Sequence, residues 1–328
     1  MNTRSVSRGL ALTLSLGVAL PAMAADLTEE DALIVEDDSI ITFTGGVGIV
    51  SLEANEYVYL APGSDTRLSQ LIWQSTAPML TAGLDVALPD GWTLSAKAQA
   101  ALGGDSYMED YDWIAPWATG TGDNDWSDRS RHDDTDLDWY FNGSLLLGRD
   151  FAVSDTITVN LNGGFKYTDV QWSAYGGSYV YSNGGFRNDV GDFPDGEPGI
   201  SYRQSFPALV AGIDAEMVQD QWTFGVSAQG GFTLYGTGDD HHWQRTPVLN
   251  FIDNLESAPL LSLGASASYA VAEGMNIFLA GTAEKIFTAR GDTDIYNNDT
   301  GVLLGTEFDG GGGDLFAASI TGGIKGTF

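Results

Sequence analysis

Two short polar clusters carry the residue types of a hydrolytic site: Asp110-Tyr111-Asp112 and Asp240-His241-His242. On an extended strand, side chains two apart share a face. Asp110 and Asp112 would therefore project together, and so would Asp240 and His242. Two carboxylates facing a carboxylate–imidazole pair could hold and activate a water. The chain has 3 histidines, His132, His241 and His242, so candidate bases are few. Asp239-x-His241 repeats the spacing one residue earlier, which leaves the register of the second cluster open. Ser130 and His132 could be read as nucleophile and base, but no third orienting group accompanies them. They read as a pair that orders a loop.

The elements that must position these groups are strands. Period-two alternation recurs along the chain. Trp92, Leu94, Ala96, Ala98 and Ala100 alternate with Thr93, Ser95, Lys97 and Gln99. Trp222, Phe224, Val226 and Ala228 alternate with Thr223, Gly225, Ser227 and Gln229, and a last alternating run ends on the aromatic Phe328. One face is apolar and the other polar or tiny. The runs reach about ten residues, the length of a tilted strand crossing a bilayer. Short turns at Pro89-Asp90-Gly91, 152–155, 218–221 and 272–274 alternate with longer polar segments near 61–68, 104–135, 176–198, 239–257 and 290–312. That rhythm predicts an all-β fold, a ten-stranded antiparallel transmembrane barrel with short periplasmic turns and long extracellular loops. Closure supplies every strand with a partner, as lipid requires. Gly310 to Gly313 reads as a flexible loop segment.

Parity raises a difficulty. Counted forward from Trp92 and Trp222, both polar clusters fall on the lipid-facing side, where charge is costly. A bulge before each cluster would correct this, at Gly103-Gly104 and at Gly236-Thr237-Gly238.

Composition narrows the classes. Residues 1–24 read as a secretory signal: Arg4 and Arg8, an apolar run from Leu10 to Leu20, then Ala22-Met23-Ala24. Residues 25–328 read as a single barrel domain. Loss of the two leader arginines would take the formal charge from −31 to −33. Such acidity argues against nucleic acid and suits a cationic partner. Without cysteine there is no disulfide framework and no thiolate chemistry. No spacing suggests a zinc site or a calcium loop.

Four blocks resemble the omptin family of outer-membrane endopeptidases. They are Gly176-Gly177-Ser178-Tyr179 with Gly185-Phe186-Arg187, Phe193-Pro194 and Gly196-Glu197; the run from Trp126 to Thr135; Asp110-x-Asp112-Trp113; and Asp240-x-His242. The second departs from the family pattern at Ser127 and Asp133. The resemblance spans nearly the whole chain after the leader. It implies a barrel that rises above the membrane and cleaves peptides between basic residues, with no cofactor or metal. It implies Asp110 and Asp112 as one catalytic pair and Asp240 and His242 as the other. For a basic side chain before the scissile bond, Glu56 matches one pocket acid, placed after the first strand. Met108 and Ile200 match lining positions. The second pocket acid falls on Gly238, with Asp239 as a substitute one residue along. Asp128 matches the acid that favours a basic residue after the bond. Family arginines that hold lipopolysaccharide on the outer wall fall on Asp169 and Ser205, so lipid binding by that route is not expected. Two non-catalytic readings stay beside the protease: a narrow channel, or an adhesin that binds through its aromatic loops.

Overall fold

The computed structural model describes residues 40–328 except 61, 119 and 121. The leader assigned to residues 1–24 lies outside the described residues. In chain order the strands are β1 (Ile40–Tyr59), β2 (Arg67–Ala87), β3 (Trp92–Ala101), β4 (Asp105–Asp112), β5 (Asp128–Ala152), β6 (Ile157–Tyr175), β7 (Ser178–Tyr181), β8 (Asp189–Asp192), β9 (Pro198–Gln219), β10 (Trp222–Thr233), β11 (Gly236–His242), β12 (Leu249–Leu255), β13 (Pro259–Ala272), β14 (Met275–Asn297) and β15 (Val302–Thr327). They close into a ring of 10 walls, all neighbours antiparallel, with β1 pairing β15. Three walls are built from two strands end to end: β3 with β4, β10 with β11, and β12 with β13. The β7–β8 hairpin stands outside the ring and pairs with the top of β5.

Several strands run to 20 residues or more, about twice what a bilayer needs. Their lower halves turn large apolar side chains outward, among them Phe43, Val47, Leu80, Leu145, Leu161, Phe165, Ile213, Val226, Leu263 and Ile320. Higher up the same outward face becomes polar, as at Asp134 and Asp136 on β5. The barrel therefore projects well beyond the lipid belt. Much of what reads as long loop in the sequence is ladder: the segments near 104–135, 239–257 and 290–312 include β4, β11, β12 and the upper part of β15. Gly310 to Gly313 lie inside β15, buried, and are not a flexible loop.

The lumen is filled. Lys166 and Glu284 pair inside at membrane level, and Asn142 Nδ2 also donates to Glu284 at 2.9 Å. Above them Trp73 stacks between Trp172 and Tyr202, each at 6.0 Å between ring centroids. Phe206 and Met108 are fully buried in the same layer.

Both walls that carry the polar clusters are interrupted. Thr76 pairs with Asp105 and Met79 with Ala101, so Leu102, Gly103 and Gly104 oppose only Ala77 and Pro78. Three residues against two is a bulge, and it reverses the facing of all that follows. Gly103 and Gly104 take φ of 66° and 110°, which side chains resist. On the second wall, Thr233 pairs with Ala208 and Thr237 with Ser205, so Leu234, Tyr235 and Gly236 oppose Phe206 and Pro207. The reversal is where parity demands it, but its irregular residues are Leu234 and Tyr235, just before the expected Gly236-Thr237-Gly238. A proline, Pro78 or Pro207, lies opposite each break. Lacking an N–H, proline is tolerated where the ladder is already broken.

Candidate active site

After the bulges, even-numbered residues of β4 and β11 point into the opening. Met108, Asp110 and Asp112 follow one another up β4; Gly238, Asp240 and His242 do so on β11. His242 and Asp240 meet at 2.6 Å between Nε2 and Oδ2. With Nε2 donating to Asp240, Nδ1 holds the lone pair. Phe251 packs edge-on against the ring at 5.3 Å and fixes its plane. Ile200, the cross-strand partner of His242, is buried beside it.

On the facing wall, Ser69 Oγ donates to Asp110 Oδ1 at 3.3 Å. Burial, then the Asp240 carboxylate, pushes the Asp110 carboxyl up to about 7. Asp240 is thus close enough to be felt across the opening. Asp112 is raised well above the ordinary range by burial and then by Asp110. Asp110 and Asp112, two neighbouring carboxyls that resist joint ionisation, make this wall of the opening acidic.

Glu56 lies within β1, not after it, and is 3% exposed. Burial first, then the charges of Asp240, Asp253 and Asp110, raise it well above the usual carboxyl range. Its Oε2 and the Oδ1 of Asp240 are buried without a hydrogen-bond partner. Asp128, at the start of β5, pairs with Asp112 and accepts from the backbone N–H of Ser182 at 2.7 Å. Met108 is completely buried beneath Asp110 and supports the floor.

Asp239 does not join this group. Adjacent strand residues face opposite ways, so Asp239 points outward with His241. It accepts from Asn250 Nδ2 at 3.0 Å and lies 3.3 Å from His241 Nδ1. His241 stacks on Trp243 at 5.0 Å. The inward register belongs to Asp240 and His242. Ser130 and His132 do hydrogen-bond at 3.0 Å, but both are buried, and His132 stacks on Phe193 at 5.5 Å.

Several groups at the site escaped the sequence reading. Asp253 on β12 is 2% exposed and accepts from Thr293 Oγ1 at 2.5 Å. Burial pushes its carboxyl up to about 7. Leu249, Phe251, Asp253 and Leu255 alternate in step, a signal concealed by taking 239–257 as loop. Ser69 and Arg245 also act on the acids; both oppose the rise at Asp110 and Asp112. On the outer wall, Arg203 is bound by Asp169 (Nη2 to Oδ2, 2.6 Å), which Trp139 and Tyr167 also engage, and Ser205 is tied to Thr237.

Fold and site define an outer-membrane β-barrel with a carboxyl-rich external opening that holds an Asp–His pair. The chain belongs to the omptin family, whose model matches residues 37–328. It is 26% identical over 323 residues to "Protease 7" of Escherichia coli (strain K12), covering 98% of each chain. Outer membrane protease OmpP of the same organism is 27% identical over 287 residues, 86% of this chain and 88% of that one. The plasminogen activator of Yersinia pestis is 23% identical over 286 residues, 87% and 88%. The crystal structure of outer membrane protease OmpT from Escherichia coli shares the fold, with a TM-score of 0.83 at 24% identity over 91% of this chain and 99% of that one. The protein is an integral barrel of the bacterial outer membrane.

Proposed function

We propose that the protein is an endopeptidase that hydrolyses peptide bonds next to basic residues, at the outer mouth of the barrel. The observation that carries this is the 2.6 Å His242–Asp240 pair, with the inward Asp110 and Asp112 on the facing wall. His242 Nδ1 takes a proton from a water as that water attacks the scissile carbonyl. Asp240 orients the ring and stabilises the imidazolium. Asp110 and Asp112 hold the water from the other wall, and the carboxyl that keeps its proton donates to the developing oxyanion. The imidazolium then protonates the leaving amine, which restores the resting state. The buried Glu56 supports a preference for a cationic side chain before the bond, and Asp128 at the rim supports one after it.

The stacked Trp73, Trp172 and Tyr202 in the upper lumen weigh against a channel. The test is to fold the chain into detergent micelles and offer a quenched peptide with an Arg-Arg centre and a matched Gln-Gln peptide. Cleavage between the arginines, located by mass spectrometry, is expected. Intact peptide, with ion conductance in planar bilayers, would overturn the reading.

A further inference from the structure

Gly238 occupies an inward position on β11, two residues below Asp240, in the floor of the opening. Its cross-strand partner on β12 is Asp253. A Cβ at residue 238 would stand 2.9 Å from Asp253 Oδ2 and 3.3 Å from the Tyr202 hydroxyl. The carboxyl of Asp253 therefore already fills the space into which a side chain from residue 238 would grow. A glycine across from it, Gly311 on β15, makes the same allowance: a Cβ there would collide with Asp253 Oδ1 and with Thr293 Oγ1 at 2.5 Å. Gly238 and Gly311 thus flank a single buried acid.

Asp253 does not face an isolated hole. Its charge and those of Asp240 and Asp110 act on Glu56, and Glu56 and Asp253 both act on Tyr202. Among these groups Glu56 Oε2 and Asp240 Oδ1 are buried with no donor from any other residue, the two carboxyls lie within hydrogen-bonding reach of each other, and Glu56 is 3% exposed. Like charges held this close are unfavourable together unless protons or a cation neutralise them. Among the described residues, neither Glu56 nor Asp253 forms an ion pair with a lysine or arginine.

We propose that Asp253 supplies the second carboxylate of the pocket for the basic side chain preceding the scissile bond, reaching from β12 into the space that Gly238 leaves open on β11. The proposal rests on the endopeptidase reading and names the residue that sets its specificity. Glu56 from β1 and Asp253 from β12 would bracket one guanidinium or ammonium group, a geometry that suits two-sided recognition. Asp239, on the outer face, takes no part.

The experiment has two arms. The first measures kcat/KM for two quenched peptides that differ only in Arg or Gln before the bond. Asp253→Asn keeps the volume and removes the charge. The Arg:Gln ratio is expected to fall about tenfold or more, mainly through KM for the Arg peptide. The double variant Gly238→Asp/Asp253→Ser, which returns the acid to β11, is expected to recover most of the ratio. An unchanged ratio in Asp253→Asn, or a ratio that responds to Asp239→Asn instead, would overturn the proposal. The second arm measures binding of a fluorescent Arg-Arg peptide to His242→Ala protein by anisotropy, with and without Asp253→Asn. Here the added change is expected to weaken binding about tenfold or more. Binding that depends on Asp253 without hydrolysis by the unaltered chain would overturn the protease reading and keep the pocket. Hydrolysis with an Arg preference indifferent to Asp253 would do the reverse.

Discussion

Asp240 faces two demands at once. One oxygen holds the His242 ring at 2.6 Å, while the other is buried without a partner beside Glu56. Burial and the Asp240 charge raise the carboxyls of Glu56 and Asp110, so binding of a cationic side chain here is expected to depend on pH. Asp253 titrates near 7, in contact with the fields of Glu56 from β1, Asp240 from β11 and Tyr202 from β9, with Thr293 donating from β14. A cationic side chain binds the ionised form. The KM of an Arg peptide is expected to fall as pH rises from 6 to 8, while that of a Gln peptide changes little. The stability effect has the opposite sign. Asp110 and Asp253 have an ordinary value of 3.8 and sit near 7 in the folded barrel. Their contribution is complete below about 4 and is lost as pH rises through 7, on the order of 1 kcal/mol per pH unit for each proton released. The guanidinium chloride midpoint should therefore be higher at pH 5 than at pH 8, and Asp253→Asn should flatten that slope. Ser130→Ala is expected to keep hydrolysis within about threefold, because a buried Ser130–His132 pair offers no nucleophile to solvent.

The two bulges decide whether the acids face water or lipid. Gly104 takes φ of 110°, and a Cβ there would lie 2.5 Å from the Thr76 carbonyl oxygen and 2.8 Å from Ala77. Gly104→Val is expected to cost about 2–3 kcal/mol and to lower hydrolysis more than Gly104→Ala does, because the wall carrying Asp110 and Asp112 must shift. Denaturant midpoints and kcat/KM on the same preparations check this. That a reversal must precede each cluster was legible from parity alone, since charge cannot face lipid cheaply. The residues that make the second one were not: Leu234 and Tyr235 look like ordinary strand, and only Pro207, opposite them, marks the place where the ladder breaks. The alternation also marked the four inward groups of β4 and β11. It failed above the membrane, where no lipid imposes an apolar outer face. There β12 carries Asn250, Ile252 and Asn254 outside and a mixed face inside, so it read as loop, and Asp253 went unseen. Offering Asp239 for Gly238 ignored the period-two rule, by which residues 239 and 240 cannot share a face; the choice of Asp240 and His242 over Asp239 and His241 came from the family resemblance.

At the scale of the whole molecule, charge and lipid set the conditions of action. Under the proposed specificity, a net charge of −31 would draw cationic peptides from a distance. For an Arg-Arg peptide, kcat/KM is expected to fall several-fold between about 20 mM and 0.5 M salt as screening shortens that reach. A neutral peptide should respond far less. On the outer wall, the guanidinium of Arg203 is already engaged by Asp169, and carboxylate at that position opposes a lipid phosphate. Hydrolysis in micelles free of lipopolysaccharide is expected to stay within about threefold of that with lipopolysaccharide added. With Trp73, Trp172 and Tyr202 packed across the upper lumen, the proposed chemistry would be confined to the external opening. The most direct measurement compares hydrolysis of one Arg-Arg peptide by the unaltered barrel, Asp240→Ala and His242→Ala, each shown to be folded, with His241→Ala beside them. Loss of about 10²–10⁴-fold in the first two variants, with His241→Ala little changed, is the expected result. Equal cleavage by all four proteins would contradict a water activated by His242 against Asp240.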